Sequence, residues 1–469
     1  METELSTPGS SRREEAPEEM RSAECGVRNE RRRCVISAVP GAFLHPIPAA
    51  SLAAFRILFG LLMAGAMVRV LAKGWVDTVF LAPAFHFSYP GFDWVRPLPA
   101  GLLHALVAGL AICGLGIAAG FFYRVCAGLF FLGFAYLELI ERANYLNHYW
   151  LVTLLAGLCA VLPLHRAWSW DAARGRVAGS DFAPAWLLWL LRFQVAVVYV
   201  FAGLAKLNAD WLFRAEPLRT WLAARADVPV LGPWLAEPWL AFAMSWAGAA
   251  YDLGIVAALL CARTRPLAYA TVVVFHVATA LLFPIGLFPW LMMVTATLFL
   301  PSDWPSGTVS TFRVSRFELC AAPPAWVVGA VAAYCAVQIA LPLRPFFERE
   351  NSAWTGRGFN FSWRVMLAER SGHVEFFAFD PATQRRWRLP TRGELTPWQE
   401  RLMAQEPELI RQFALHLAAK LHREGNPATE VRADAFLALN GRPHARLLRP
   451  DVNLAAPLPS DWILPAPLL

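Results

Sequence analysis

From about Ala49 the chain alternates between long apolar runs and short polar breaks. Apolar segments occupy residues 49–72, 100–122, 124–141, 146–164, 184–206, 238–262, 266–283, 284–300 and 324–343. An α-helix rises about 1.5 Å per residue, so roughly 20 apolar residues cross the hydrocarbon core of a bilayer. The pattern therefore predicts about nine transmembrane helices. The third is the shortest of the well-formed runs, and Pro284 and Pro289 break the 266–300 stretch into two pieces. Residues 73–99 are aromatic but too broken for a helix, and read as a cap on the outer face.

The pattern changes at both ends. Residues 1–45 form a tail rich in Glu, Arg, Ser and Pro that ends its charged part at Arg31-Arg32-Arg33. Such a composition buries no core, and it predicts disorder. Beyond Leu343 the chain becomes charged, with two-residue alternation over His373–Phe379 and Ala433–Asn440 and a helical run at 396–423. The expected architecture is an all-α polytopic transmembrane bundle over residues 46–343, followed by a small α+β extramembrane domain over 344–469. No internal repeat is visible.

Composition sharpens that picture. Of the 469 residues 57% are hydrophobic and only 16% charged, against about a quarter charged in soluble domains. Mean hydropathy is +0.42. The net charge of +7 is scattered through short loops, which speaks against nucleic acid as a partner and leaves membrane lipid. With the tail on the cytoplasmic side, Arg124, Arg166, Arg174, Arg176, Arg263, Arg265, Arg313 and Arg316 all fall in inside loops. That orientation places the C-terminal domain outside. Residues 1–35 hold no apolar run of signal-peptide type, and no cysteine follows Cys335. Both features suit a bacterial inner membrane with a periplasmic C-terminal domain, the endoplasmic reticulum being the alternative.

Few residues carry chemistry. Lys206 ends an otherwise apolar run, and an ionisable group at membrane depth is functional by default. It also fits a lysine that snorkels to the interface or pairs with Asp210 one turn later. His148 begins the fourth run, where an aromatic belt would also hold it, and His276 lies inside the seventh, where a hydrogen-bonded structural role also fits. Neither histidine has metal-ligand neighbours at helical spacing, and no C-x-x-C pair, phosphate loop or H-E-x-x-H occurs, so no metal site is expected.

Five stretches together resemble the vitamin K-dependent γ-glutamyl carboxylase family, over roughly residues 50–469. They are Asn147-His148-Tyr149; Phe201 to Trp211 around Lys206; Phe275-His276 with Leu282 to Phe288; Trp354-Thr355-Gly356 with Phe361-Ser362-Trp363; and Arg370 to Val374. They stand in the family's order. Two departures are Ala205, where animal enzymes have a second lysine, and Thr279, where the family has an asparagine.

The resemblance implies a peptidyl-glutamate 4-carboxylase-like activity. Vitamin K hydroquinone is oxidised by O2 to its epoxide, and CO2 is added to a peptide glutamate to give γ-carboxyglutamate. The co-substrates are then the hydroquinone, O2 and CO2, with no metal, and the partner is a glutamate-containing peptide or protein. By the same resemblance Lys206 is the base that activates the quinol, and an apolar neighbourhood serves it by disfavouring the cation. His148 and Asn147 stabilise the oxyanionic species, and His276 supports the site. Trp354, Phe361, Ser362 and Trp363 line the glutamate side, while Arg219 and, less directly, Arg442 are candidates to hold the substrate carboxylate. Arg219 also fits a solvated loop. Two other readings stay open: a quinol epoxidase or oxidoreductase without carboxylation, and a non-enzymatic membrane scaffold. An intramembrane lysine separates the last from the other two.

Overall fold

The computed structural model describes residues 43–229, 231–307, 323–348, 350–426 and 429–467. The tail before residue 43, together with Arg313 and Arg316, lies outside the described residues, so the expected disorder of the tail falls there. The membrane part is built from helices α1 (Ala50–Ala72), α2 (Ala100–Ala119), α3 (Tyr123–Ile140), α4 (Asn147–Val161) and α5 (Ala185–Ala205). Two short outer helices follow, α6 (Ala209–Arg214) and α7 (Leu218–Ala223). Then come α8 (Pro238–Leu260), α9 (Arg265–Leu282), α10 (Phe288–Ala296) and α11 (Ala325–Leu343).

Among the described residues, seven helices are long and apolar enough to cross a membrane; α4 and α10 are shorter. Both short helices still run from the side of the bundle that meets the C-terminal domain toward its far end. Asn147, at the start of α4, donates to Arg364 O in the outer loop, and at the far end Arg124 donates to Val161 O. The 3-10 turn that extends α10 ends where Arg192 Nε donates to Leu298 O at 2.8 Å. All nine apolar runs thus become helices, and the proline-broken pair becomes α9 and α10. Trp234, Trp239, Trp246 and Trp290 stay exposed, as aromatic residues do at a lipid–water boundary.

In a bilayer, packing between helices needs backbones that approach closely. Gly60 on α1 faces Gly114 and Ala118 on α2. A Cβ on Gly60 would stand 2.5 Å from Ala118 N and 2.6 Å from Gly114 O, where no side-chain adjustment can relieve the clash. Gly60→Ala is therefore expected to destabilise the bundle by about 1–3 kcal/mol. Gly65→Ala, whose Cβ meets nothing, is the control. Thermal unfolding in detergent reads the difference.

Arg56 pins the inner end of the same pair. Its guanidinium, 0% exposed, donates to Ile117 O, Ala118 O and Trp168 O at 2.6–2.7 Å. Those carbonyls include the free acceptors at the C-terminus of α2, where a cation also meets the negative end of the helix dipole.

The outer domain holds a four-stranded antiparallel sheet in the order β4-β3-β5-β6, with β3 at Arg370–Asp380, β4 at Arg385–Leu389, β5 at Glu430–Leu439 and β6 at Ala445–Arg446. The remaining pair, β1 (Pro46–Pro48) and β2 (Phe182–Pro184), ties the start of α1 to the start of α5. Alternation along β5 buries Val431, Ala433, Ala435, Leu437 and Leu439. Against them pack Leu409, Ile410, Phe413 and Leu417 of a helix at Pro407–Arg423. The helix expected over 396–423 is two: Pro407 lacks the N–H that a continuous helix needs, so a separate turn forms at Pro397–Met403.

The 73–99 segment differs from expectation. Val76–Leu81 forms a π-helical turn, and Phe85 and Phe87 enter the outer domain's core instead of lying on the membrane surface. Glu141, just past α3, is the polar hinge of this contact. Its carboxylate accepts from Gln399 Nε2 at 2.6 Å, from Ala143 N at 2.9 Å and from Phe87 N. Burial pushes its pKa up to about 7, against the opposing hydrogen bonds. With the folded value raised, the native state holds the proton more tightly than the unfolded chain does. The stability gained is complete at acid pH and is lost as pH rises from about 4.5 through 7. The unfolding temperature is thus expected to fall between pH 5 and 8, and Glu141→Gln to flatten that slope.

Candidate active site

Lys206 and Trp211 stand in one short stretch whose polar residues each have a different task. Lys206 is the C-terminal cap of α5, and Asn208 caps α6 by accepting from Trp211 N at 3.0 Å. Asp210 points away to the outer domain, where it receives Asn440 Nδ2 and Arg442 Nη1 at 2.8 Å each. The alternative Lys206–Asp210 pair does not form. Lys206 Nζ instead donates to Asp252 Oδ2 on α8 at 2.6 Å, with Ala202 O at 3.4 Å and the Trp211 ring centre at 5.1 Å. Lysine and aspartate are each 7% exposed. Snorkelling is excluded by that burial.

Gly203 makes the pair geometrically possible. A Cβ there would sit 2.8 Å from the Leu253 side chain and 3.0 Å from Leu253 N, so its absence lets α5 and α8 touch one turn from the lysine. Two opposite charges taken out of water are tolerated only when they meet each other with good geometry.

The pair lies at the wall of a cavity of about 80 Å³. On the same measure a water needs about 10–15 Å³, so the space exceeds a few solvent molecules. Its walls are mostly apolar and aromatic: Val198, Trp211, Met244, Phe275, Phe283 and Phe288 among them. A second polar group enters from α9. His276, 2% exposed, has Nε2 at 3.2 Å from Tyr199 OH and 3.5 Å from Tyr251 OH. Its Nδ1 is buried without a hydrogen-bond partner among the described residues. His148 lies 5.9 Å from the Phe288 ring, and His276 lies 5.8 Å from that same ring. Asn147 shares its Oδ1 with Tyr145 OH at 3.2 Å.

Val365 and Met366, from the stretch between α11 and β3, complete the cavity. Their loop is strained. Phe361, Trp363 and Met366 take positive φ values of 63°, 56° and 51°, and Gly356 and Gly358 do so beside them. Each such non-glycine residue costs on the order of 1–3 kcal/mol, and strain of this kind gathers where surrounding structure must hold a site. Trp354 and Trp363 are buried, Ser362 Oγ donates to Phe359 O at 2.6 Å, and the Phe361 ring packs on Tyr145 and Trp150.

The HTTM domain matches residues 44–304, more than half of the chain, and the lumenal domain of the vitamin K-dependent gamma-carboxylase matches residues 323–468. The chain belongs to the gamma-carboxylase family. No solved structure matches it. As a family member it is a carboxylase-like membrane protein, with an HTTM bundle that supplies the lysine and a lumenal-type domain that supplies the roof of the cavity.

Within this family framework the structure brings Lys206 and His276 to one cavity and sets His148 against its wall. It does not bring Arg219 there. Arg219 is exposed on α7. Arg442 is engaged by Asp210, a tie between the membrane bundle and the outer domain. Thr279, in the place of the family's asparagine, lines the cavity and donates to His276 O at 3.0 Å. Asp252 is the partner that sequence reasoning missed. The signal was present, for Tyr251-Asp252 places an acid inside an apolar run, and the rule that singled out Lys206 applies to it equally.

Proposed function

We propose that the protein couples oxidation of a vitamin K-type hydroquinone by O2 to carboxylation of a peptide glutamate, with Lys206 and Asp252 acting together as the group that receives the first proton. The observation that carries this reading is the 2.6 Å pair at the wall of an aromatic cavity. The fit of a hydroquinone rests on the lining: flat apolar walls for the ring, and two polar clusters, Lys206–Asp252 and Tyr199–His276, for oxygens.

The pair as a whole is neutral, whether its shared proton sits on nitrogen or on oxygen. It has one vacant protonation site in either form. A phenolic proton moving onto it yields an ammonium beside a carboxylic acid, and the positive charge gained matches the negative charge left on the phenolic oxygen. The lysine therefore needs no separate neutral state, which replaces the expectation of an isolated uncharged amine. Oxidation of the hydroquinone by O2 supplies base strength that no side chain has, since none is basic enough to take a proton from the glutamate γ-carbon. The dry walls keep water from quenching that base. Trp211 and the Ala202 carbonyl hold Nζ in place, and His148, 5.9 Å from the cavity-lining Phe288 ring, would stabilise an oxyanion together with its neighbour Asn147.

The quinol reaches such a site from the bilayer, and the peptide arrives from the side of the outer domain, which we place in the periplasm of a bacterial inner membrane. The test is direct. Purified protein in lipid nanodiscs, given reduced vitamin K, O2, 14C-bicarbonate and a glutamate-containing peptide, forms epoxide and acid-stable label. Epoxide without label selects the quinol oxidase reading, and formation of neither product overturns the proposal.

A further inference from the structure

The outer-domain loop that roofs the cavity carries one cation with no acid to answer it. Arg364 directly precedes Val365 and Met366, the two outer residues that line the cavity, and its backbone oxygen accepts from Asn147 Nδ2 at 3.5 Å. Its guanidinium is half-buried near two rings, 5.5 Å from the centre of Phe359 and 5.9 Å from that of Phe346. Among the described residues it forms no hydrogen bond and no ion pair through its side chain.

Neighbouring arginines are provided for. Arg357 pairs with Glu350 and Glu408, and Arg442 with Asp210. Arg344 donates to Leu341 O and Asn360 O. Arg370, on the same Phe359 ring at 5.0 Å, donates to Gln405 O and feels the charge of Glu406. Burial lowers the Arg364 pKa below its ordinary value, and no carboxylate opposes that shift. A partly desolvated charge without a counter-ion costs free energy that a protein normally avoids. Two guanidinium groups on one phenyl ring also repel each other. The rings of Phe346 and Phe359 lie within cation–π reach of the guanidinium, and none of its five N–H donors has a partner among the described residues, so its fork is available to a planar anion.

We propose that Arg364 receives the side-chain carboxylate of the peptide substrate beside the loop residues that line the cavity. The identity of the peptide rests on the carboxylase reading above; the recognition of a carboxylate does not. A bidentate guanidinium–carboxylate contact is geometrically specific, and it distinguishes glutamate from glutamine of the same shape.

Binding is read with the full chain in nanodiscs, without quinol or O2, so the outcome does not depend on whether epoxide forms. A fluorescent glutamate-containing peptide and its glutamine counterpart are titrated by anisotropy. The native protein is expected to prefer glutamate on the order of tenfold or more. Arg364→Met keeps an apolar stem on the two rings and removes the charge, and the preference is expected to vanish. Arg364→Lys keeps the charge without the fork and is expected to retain part of it. An Arg364→Met protein that still prefers glutamate overturns the proposal, as does a native protein that binds both peptides alike.

Discussion

Lys206→Gln is expected to abolish epoxide formation and label fixation together, to below about one part in a hundred of the native rate. General acid–base groups contribute roughly 10²- to 10⁴-fold, and here one proton transfer precedes everything that follows. The amide keeps length and polarity but accepts no proton. It also leaves Asp252 buried without its cation, so the protein must first be shown to fold. Quinol turnover measured by liquid chromatography, beside a thermal unfolding curve, separates the two effects. A folded Lys206→Gln protein that still makes epoxide would show that the lysine is not the acceptor.

Asp252 gives the second large effect, and it tests the pair against the lone amine. Asp252→Asn leaves a buried ammonium at the end of α5 with only neutral groups beside it, the new amide, the Ala202 carbonyl and the Trp211 ring. Breaking one side of a buried ion pair costs about 3–5 kcal/mol, whereas replacing both sides by apolar groups of similar size is close to neutral. Asp252→Asn is thus expected to lower stability by about that amount and epoxidation at least about a hundredfold. The double change Lys206→Met with Asp252→Leu is expected to recover stability and no activity. Should Asp252→Asn epoxidise at the native rate, the carboxylate is a structural counter-ion and Lys206 works alone.

Much of the bundle was legible because a span needs only length and apolarity, and both are local properties of the chain. The outer domain was legible through two-residue alternation, as along β5. What was hidden depends on contacts between distant segments. Lys206 and Asp252 are 46 residues apart, and nothing local says that α5 and α8 touch; Gly203 permits the approach but does not announce it. Asp210 and Arg442 are 232 residues apart, and nothing local joins them. The proximity of Asp210 to Lys206 in the chain suggested a pair, yet the break between α5 and α6 turns the acid toward the other domain. Arg364 was passed over for a related reason. An arginine in a polar loop looks ordinary until the absence of a neighbouring acid can be seen.

The roof formed by Val365 and Met366 has a consequence for how the molecule can be dissected. The chamber's floor and sides belong to the HTTM match and its lid to the lumenal match, so no boundary between the two leaves the lining whole. A shortened chain ending at Leu343 would retain the lysine and its aspartate yet admit solvent from above. Such a fragment is expected to bind lipid and to be inert. Epoxide formation by it would mean that the lid contributes nothing to dryness.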